Sequence, residues 1–422
     1  MRILLKSLRI CDPRSTHNGK TRDILIENGI ITEIKAEIKA GDAQVISSKN
    51  FQVSPGWIDL RANFKDPGEE HKEGLINGLD AAARGGFTKV VVLPSTLPPI
   101  DSKQSVEYLL HRSAGHVVEV LPAGTISEGM KGKNLSEMFD MQQAGAVLFT
   151  DDQHPVDRAE LMHRALEYAR NFSGLIMTIP FDTSFAPGGQ MHEGVENLKL
   201  GMKGIPVITE TLRLQRDLSI LEYTGGRMHV SLLSCAESVE LIKKAKKDGL
   251  DVSADICAHQ LCFNDRALSG FDTNYKVQPP FRSDEHRKAL IKGIKDGIIS
   301  ALCSDHHPQD TESKILEFAH AQSGISSIET TFSSALQSLE DSIGLDAIIS
   351  LLSYGPAEIL NLDIPGVNVG KNADLTLFDP SHVWTVNREN LVSRSYYTPY
   401  LNKEIKGRAM GIIRDDQMLL FN

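Results

Sequence analysis

The side chains best placed to do chemistry in this chain sit where short apolar runs stop. The first run lies in Pro55–Gly68, PGWIDLRANFKDPG, and ends with Arg61, Asn63 and Lys65 at alternate positions. Ile58–Leu60 reads as a short buried strand, opened by Pro55–Gly56 and closed by the turn signal Pro67–Gly68. Two later runs end in carboxylates followed by histidine: FTDDQHPV carries Asp152 and CSDHHPQ carries Asp305. Histidines and carboxylates at strand ends are what metal-assisted hydrolysis needs, since the metal polarises a carbonyl and makes hydroxide near neutral pH. The first run breaks that pattern. Arginine stays protonated and cannot ligate, asparagine is a weak zinc ligand, and lysine is a point charge without a bidentate fork.

The elements that must position these residues follow from periodicity. Up to about Val53 the texture is all-β: ILLKSLRI, DILIENGIITEIKA and AQVISSKNFQV cluster β-branched residues, with Asn28–Gly29 as a hairpin turn. From Pro55 short apolar strands alternate with amphipathic helices. Eight candidate parallel strands begin at Trp57, Thr88, Val117, Ala146, Leu175, Met228, Asp251 and Ser300. Helices between them include ELIKKAKKDG from Glu240, capped by Gly249, and HRKALIKGIKDG from His286. Eight strands with right-handed crossovers predict a closed (β/α)₈ TIM-like barrel over 54–365. After about Pro365 the texture returns to β in ADLTLFDP, HVWTVNR and RAMGIIRDDQMLLF.

Composition narrows the class. With 41% hydrophobic and 24% charged residues, the 422-residue chain reads as an ordinary soluble globular protein. A net charge of -10 argues against a nucleic-acid or anionic-membrane partner. The five cysteines (Cys11, Cys235, Cys257, Cys262, Cys303) form no Cys-x-x-Cys pair and fit buried thiols in a reducing compartment. The N-terminus reads as no signal peptide and no run reaches membrane-spanning length, so a cytoplasmic location is expected. The basic stretches from Lys243 and His286 read as solvated helix faces.

The frame around the chemical residues resembles the dihydroorotase branch of the cyclic amidohydrolases over nearly the whole chain. There the first barrel strand reads P-G-[FWL]-I-D-x-H-x-H-[LF]-R-[ED]-P-G, and both histidines hold zinc. Here Arg61 and Asn63 stand at the histidine positions. The resemblance implies a small β-sandwich built from 1–53 and 366–422 beside the barrel. It also places Asp152 on a metal-bridging aspartate, Ile179 and Leu232 on two further ligand histidines, and Asp305 on a metal-binding aspartate that acts as general base. Lys65, Ser95 and Gln278 fall on substrate-binding positions, and Gln309 on a histidine beyond Asp305. His229 matches a residue inside the strand, not a ligand.

All four histidine ligands are thus replaced while both aspartates remain. Two buried carboxylates without a cation are costly, so Arg61 is expected to pair with Asp305, Asp152 or both. His154, His259, His306 and His307 give material for a relocated site. His306 and His307, however, are adjacent and must point apart, and structural use is the expectation. Lys65 and Arg282 offer an anion site or simple pairing. The segment around His192–Glu193–Gly194 is expected to shape the site mouth.

The expectation is a non-catalytic dihydroorotase homologue of pyrimidine synthesis that scaffolds aspartate transcarbamoylase, with no metal at the six ligand positions. The alternative is an active cyclic amidohydrolase using zinc in an altered site. A third reading is a binding protein holding a small ureide or pyrimidine. A homo-oligomer is expected in each case.

Overall fold

The computed structural model describes residues 2–421. The N-terminal segment forms β1 (Arg2–Ile10), β2 (Thr21–Glu27), β3 (Ile30–Lys35), β4 (Gln44–Ile46) and β5 (Gln52–Pro55). Asn28 and Gly29 both take positive φ, 50° and 77°, which is the twist a two-residue hairpin loop needs. The barrel strands are β6 (Trp57–Ala62), β7 (Phe87–Val92), β8 (Glu119–Gly124), β9 (Leu148–Phe149) and β10 (Leu175–Thr178). A short ribbon, β11 (Met191–His192) and β12 (Gly204–Ile205), precedes β13 (Arg227–Val230), β14 (Val252–Cys257) and β15 (Ala301–Cys303). The C-terminal strands are β16 (Asp374–Thr385), β17 (Glu404–Arg414) and β18 (Gln417–Leu420).

All eight expected barrel strands are present and pair in parallel in sequence order, β6 through β10 and then β13 through β15. The seam between the eighth strand and the first is made just past the strand ends. Asn63 N donates to His306 O at 2.8 Å, and Asp59 accepts from Ser304 N at 2.8 Å. The barrel interior is filled by Leu60, Val91, Leu148, Met177 and their neighbours, and a larger apolar layer lies between strands and helices. Inward-facing apolar residues make the barrel a packed core rather than a pore.

The terminal strands form one hydrogen-bonded sheet, in the order β18-β17-β16-β5-β1-β2-β3, with β4 also on β1. The sheet curls until its far edge meets the approach to β16, where Ile31 N donates to Lys371 O and Gly370 N to Ile31 O. Ile3, Leu5, Ile24, Ile26, Leu375 and Ile413 are enclosed by that curl. Trp57 ties sheet to barrel: its ring lies 4.7 Å from Phe332 and 5.6 Å from Phe378, centroid to centroid. Gly86 sits beneath it at φ 93°, where an added Cβ would come within 2.7 Å of the indole. No helix among the described residues is long and apolar enough to cross a membrane.

Candidate functional site

At the C-terminal mouth of the barrel, Arg61 is fully buried between two carboxylates. Its Nε donates to Asp305 Oδ1 at 2.8 Å, and its Nη2 donates to Asp152 Oδ1. Arg61 turns into the mouth at the end of β6, where the pairing with β7 shifts register between Asp59 and Ala62, and Asp152 and Asp305 reach it from just past β9 and β15. Ser95 Oγ donates to the other oxygen of Asp152, and Asn63 Nδ2 donates to Ser95 Oγ at 2.6 Å. Asn63 Oδ1 in turn accepts from Lys65 N at 3.0 Å, which holds Lys65 at a positive φ of 60°.

The electrostatics of this set come from burial working against the arginine. Burial alone would lower the Arg61 pKa, but the charges of Asp152 and Asp305 outweigh it and raise it. Burial pushes Asp305 up to about 7 despite Arg61. At Asp152 burial is overcome chiefly by the Arg61 charge, with the Ser95 hydrogen bond acting in the same direction, and the carboxyl is held at about 2. Burial keeps His307 unprotonated, followed in weight by the Lys65 charge, so its Nε2 accepts from Lys65 Nζ at 3.1 Å. Above these groups opens a cavity of about 290 Å³ lined by Lys65, Ser95, Leu97, Asp152, His154 and His307.

The other half of the mouth is apolar. Ile179 and Leu232 are buried in the barrel interior with Leu60, Met177, Cys257 and Cys303. Leu232 has φ 61°, in the left-handed region where Asp152 and Asp305 also sit, at 51° and 48°. Aspartate tolerates that region; leucine pays for it. The conformation persists at Leu232 because its N donates to Asp255 Oδ1 at 2.7 Å. Asp255 also binds His229, whose Nε2 lies 3.1 Å away, so His229 is an internal strut.

Of the positions singled out in the sequence, Arg61, Asn63, Lys65, Ser95, Asp152 and Asp305 are joined in one network. Gln278 makes no hydrogen bond with it, and its Nε2 is buried without a partner. Gln309 binds the loop carbonyl of Ser323. His306 and His307 point apart: His306 Nδ1 accepts from Ser327 N at 3.2 Å on the outer side. Arg282 Nε donates to Ser234 Oγ and its Nη1 to Ile205 O, while its Nη2 lies 3.7 Å from Glu210 without a hydrogen-bond partner.

One further grouping joins residues that are separate in the sequence. Cys257 Sγ lies 3.3 Å from His259 Nε2, and one ligand atom each of Cys257, His259 and Asp305 lie within 4.8 Å of one another. The available signal was the alternate spacing Cys257-x-His259 and Cys303-x-Asp305 on neighbouring strands, with Cys257 in register with Cys303.

The six positions that carry metal ligands in the resembled family do not fit a zinc pair. They offer two carboxylates, both engaged by a guanidinium, one amide used internally, two apolar side chains, and no imidazole.

Comparison with known proteins agrees with the frame. Residues 52–238 match the family model described as Dihydro-orotase-like. The chain is 38% identical over 421 residues to the dihydroorotase of Syntrophotalea carbinolica, covering 99% of each. It is 38% identical over 395 residues to that of Carboxydothermus hydrogenoformans, covering 92% of each. Among solved structures it resembles the L-hydantoinase of Arthrobacter aurescens, with TM-score 0.85 and 21% identity, covering 99% of this chain and 96% of that one. The dihydropyrimidinase of Brevibacillus agri gives 0.83 and 20%, covering 100% and 95%. These structural likenesses speak for the barrel fold.

Proposed function

The chain belongs to the dihydroorotase family, and from that premise we propose that it serves pyrimidine biosynthesis as a non-catalytic partner of aspartate transcarbamoylase. The observation that carries this reading is the Arg61 guanidinium seated between Asp152 and Asp305. Ring opening or closure of a cyclic amide needs an electrophile on the carbonyl and an activated water. Arg61 supplies a positive charge there but no open coordination position, and it occupies the carboxylate that would move the proton. In this reading no zinc pair sits at the six positions, and Asp305 is idle as a base. Lys65, Ser95 and His307 leave the cavity able to hold a small ureide or pyrimidine without turning it over. The net charge of -10 argues against a nucleic-acid or anionic-membrane partner, and a cytoplasmic homo-oligomer is the expected form.

The test is paired. Purified protein is assayed for interconversion of dihydroorotate and N-carbamoyl-aspartate, beside an Asp305→Ala variant, and is mixed with aspartate transcarbamoylase of the same organism for gel filtration. Turnover indistinguishable between the two proteins, with co-elution of the transcarbamoylase, is expected. Turnover abolished by Asp305→Ala would overturn the reading in favour of an active amidohydrolase with an altered site.

A further inference from the structure

We infer that Cys257, His259 and Asp305 form a binding site for a single zinc-class divalent ion, sharing Asp305 with the positions the family uses and taking its other two donors from the end of β14. The site stands on geometry. The 3.3 Å between Cys257 Sγ and His259 Nε2 is close to the roughly 3.5 Å separating a sulfur and a nitrogen on one tetrahedral zinc. Asp305 lies within reach of both, and while its Oδ1 accepts from Arg61, no described hydrogen bond reaches its Oδ2. Thiolate, imidazole and carboxylate make the mixed donor set that zinc takes, and the set is distinct from the hard oxygen donors of calcium or magnesium.

His259 is almost wholly buried, and its only described side-chain hydrogen bond is the one its Nε2 makes with Cys257, so no other described group competes for that nitrogen. Charge points the same way. With both carboxylates ionised, the single positive charge of Arg61 leaves one negative charge between Asp152 and Asp305 uncompensated. A divalent ion displaces the Cys257 proton to solvent as the metal–sulfur bond forms, and the net gain of one positive charge neutralises the set.

The ion would join the ends of β14 and β15, next to the seam that completes the barrel. Its role is that of a staple between two strands, and it goes beyond the functional reading above without depending on it.

The experiment is metal analysis of protein expressed with added zinc and purified without chelator, repeated with cobalt. About one equivalent of zinc is expected, with a thiolate-to-cobalt charge-transfer band in the near ultraviolet. Cys257→Ser and His259→Ala lose the ion and the band, and Cys303→Ser, a second buried thiol on the adjacent strand, keeps both. Wild-type protein with less than about a tenth of an equivalent, or a cobalt band that survives Cys257→Ser, overturns the site. The wild-type measurements need no variant to fold. Turnover bears on the functional reading and metal content on this site, so either can fail alone.

Discussion

The two halves of the barrel mouth solve the same problem in opposite ways. Around the first, fourth and eighth strands, two buried carboxylates are balanced by a guanidinium, Arg61, seated between them. Around the fifth and sixth strands, Ile179 and Leu232 fill the interior with apolar atoms. The contrast teaches that a barrel mouth can be closed by pairing buried charges or by packing apolar volume. Pairing makes a network whose members depend on one another; apolar volume leaves each residue to its own packing.

Breaking the charged half should have the largest effect. Arg61→Met leaves Asp152 and Asp305 buried without a counter-charge and should cost about 3–5 kcal/mol of unfolding free energy in urea titration. Adding Asp152→Asn and Asp305→Asn should recover most of that loss, because the desolvated charges go with it. A single-variant loss below about 1 kcal/mol would show that the two halves do not differ in kind.

The apolar half is sharpened by a pair of variants. Leu232→Ala should cost about 3 kcal/mol through the cavity it opens. Glycine ordinarily costs about 0.5–1 kcal/mol more than alanine inside regular structure. At φ 61° that order should vanish or reverse, so Leu232→Gly should be at least as stable as Leu232→Ala by thermal melting. A glycine variant clearly weaker than the alanine one would mean the backbone at Leu232 carries no strain.

Per unit of pH, the same burial also sets a smaller, graded effect. Burial pushes Asp59 up to about 7 against the hydrogen bonds from Ser304, and Asp305 is raised to the same range. An acid whose folded pKa lies above its unfolded value, about 4, stabilises fully below that value and loses its contribution as pH rises to the folded one. Stability should therefore fall between about pH 4 and pH 7, by at most about 1.4 kcal/mol per unit for each group. Asp59→Asn should flatten that slope, as read from urea midpoints across the range.

Much of the frame was legible in the sequence. The eight strands announced themselves as short apolar runs, and the Asn28–Gly29 hairpin by its turn chemistry. That Arg61 cannot ligate a metal could also be read, since residue type alone decides whether a side chain can ligate. Which carboxylate Arg61 would meet could not be read. Asp152 and Asp305 lie 91 and 244 residues away in the chain, and only barrel closure brings both to one guanidinium. The Cys257–His259–Asp305 grouping was hidden for the same reason, as two unremarkable spacings become one cluster only when their strands lie side by side in register. Periodicity and residue chemistry are local properties and survive in one dimension. Charge pairing and ligand geometry depend on distances of a few ångströms between remote segments, and tertiary structure alone sets those.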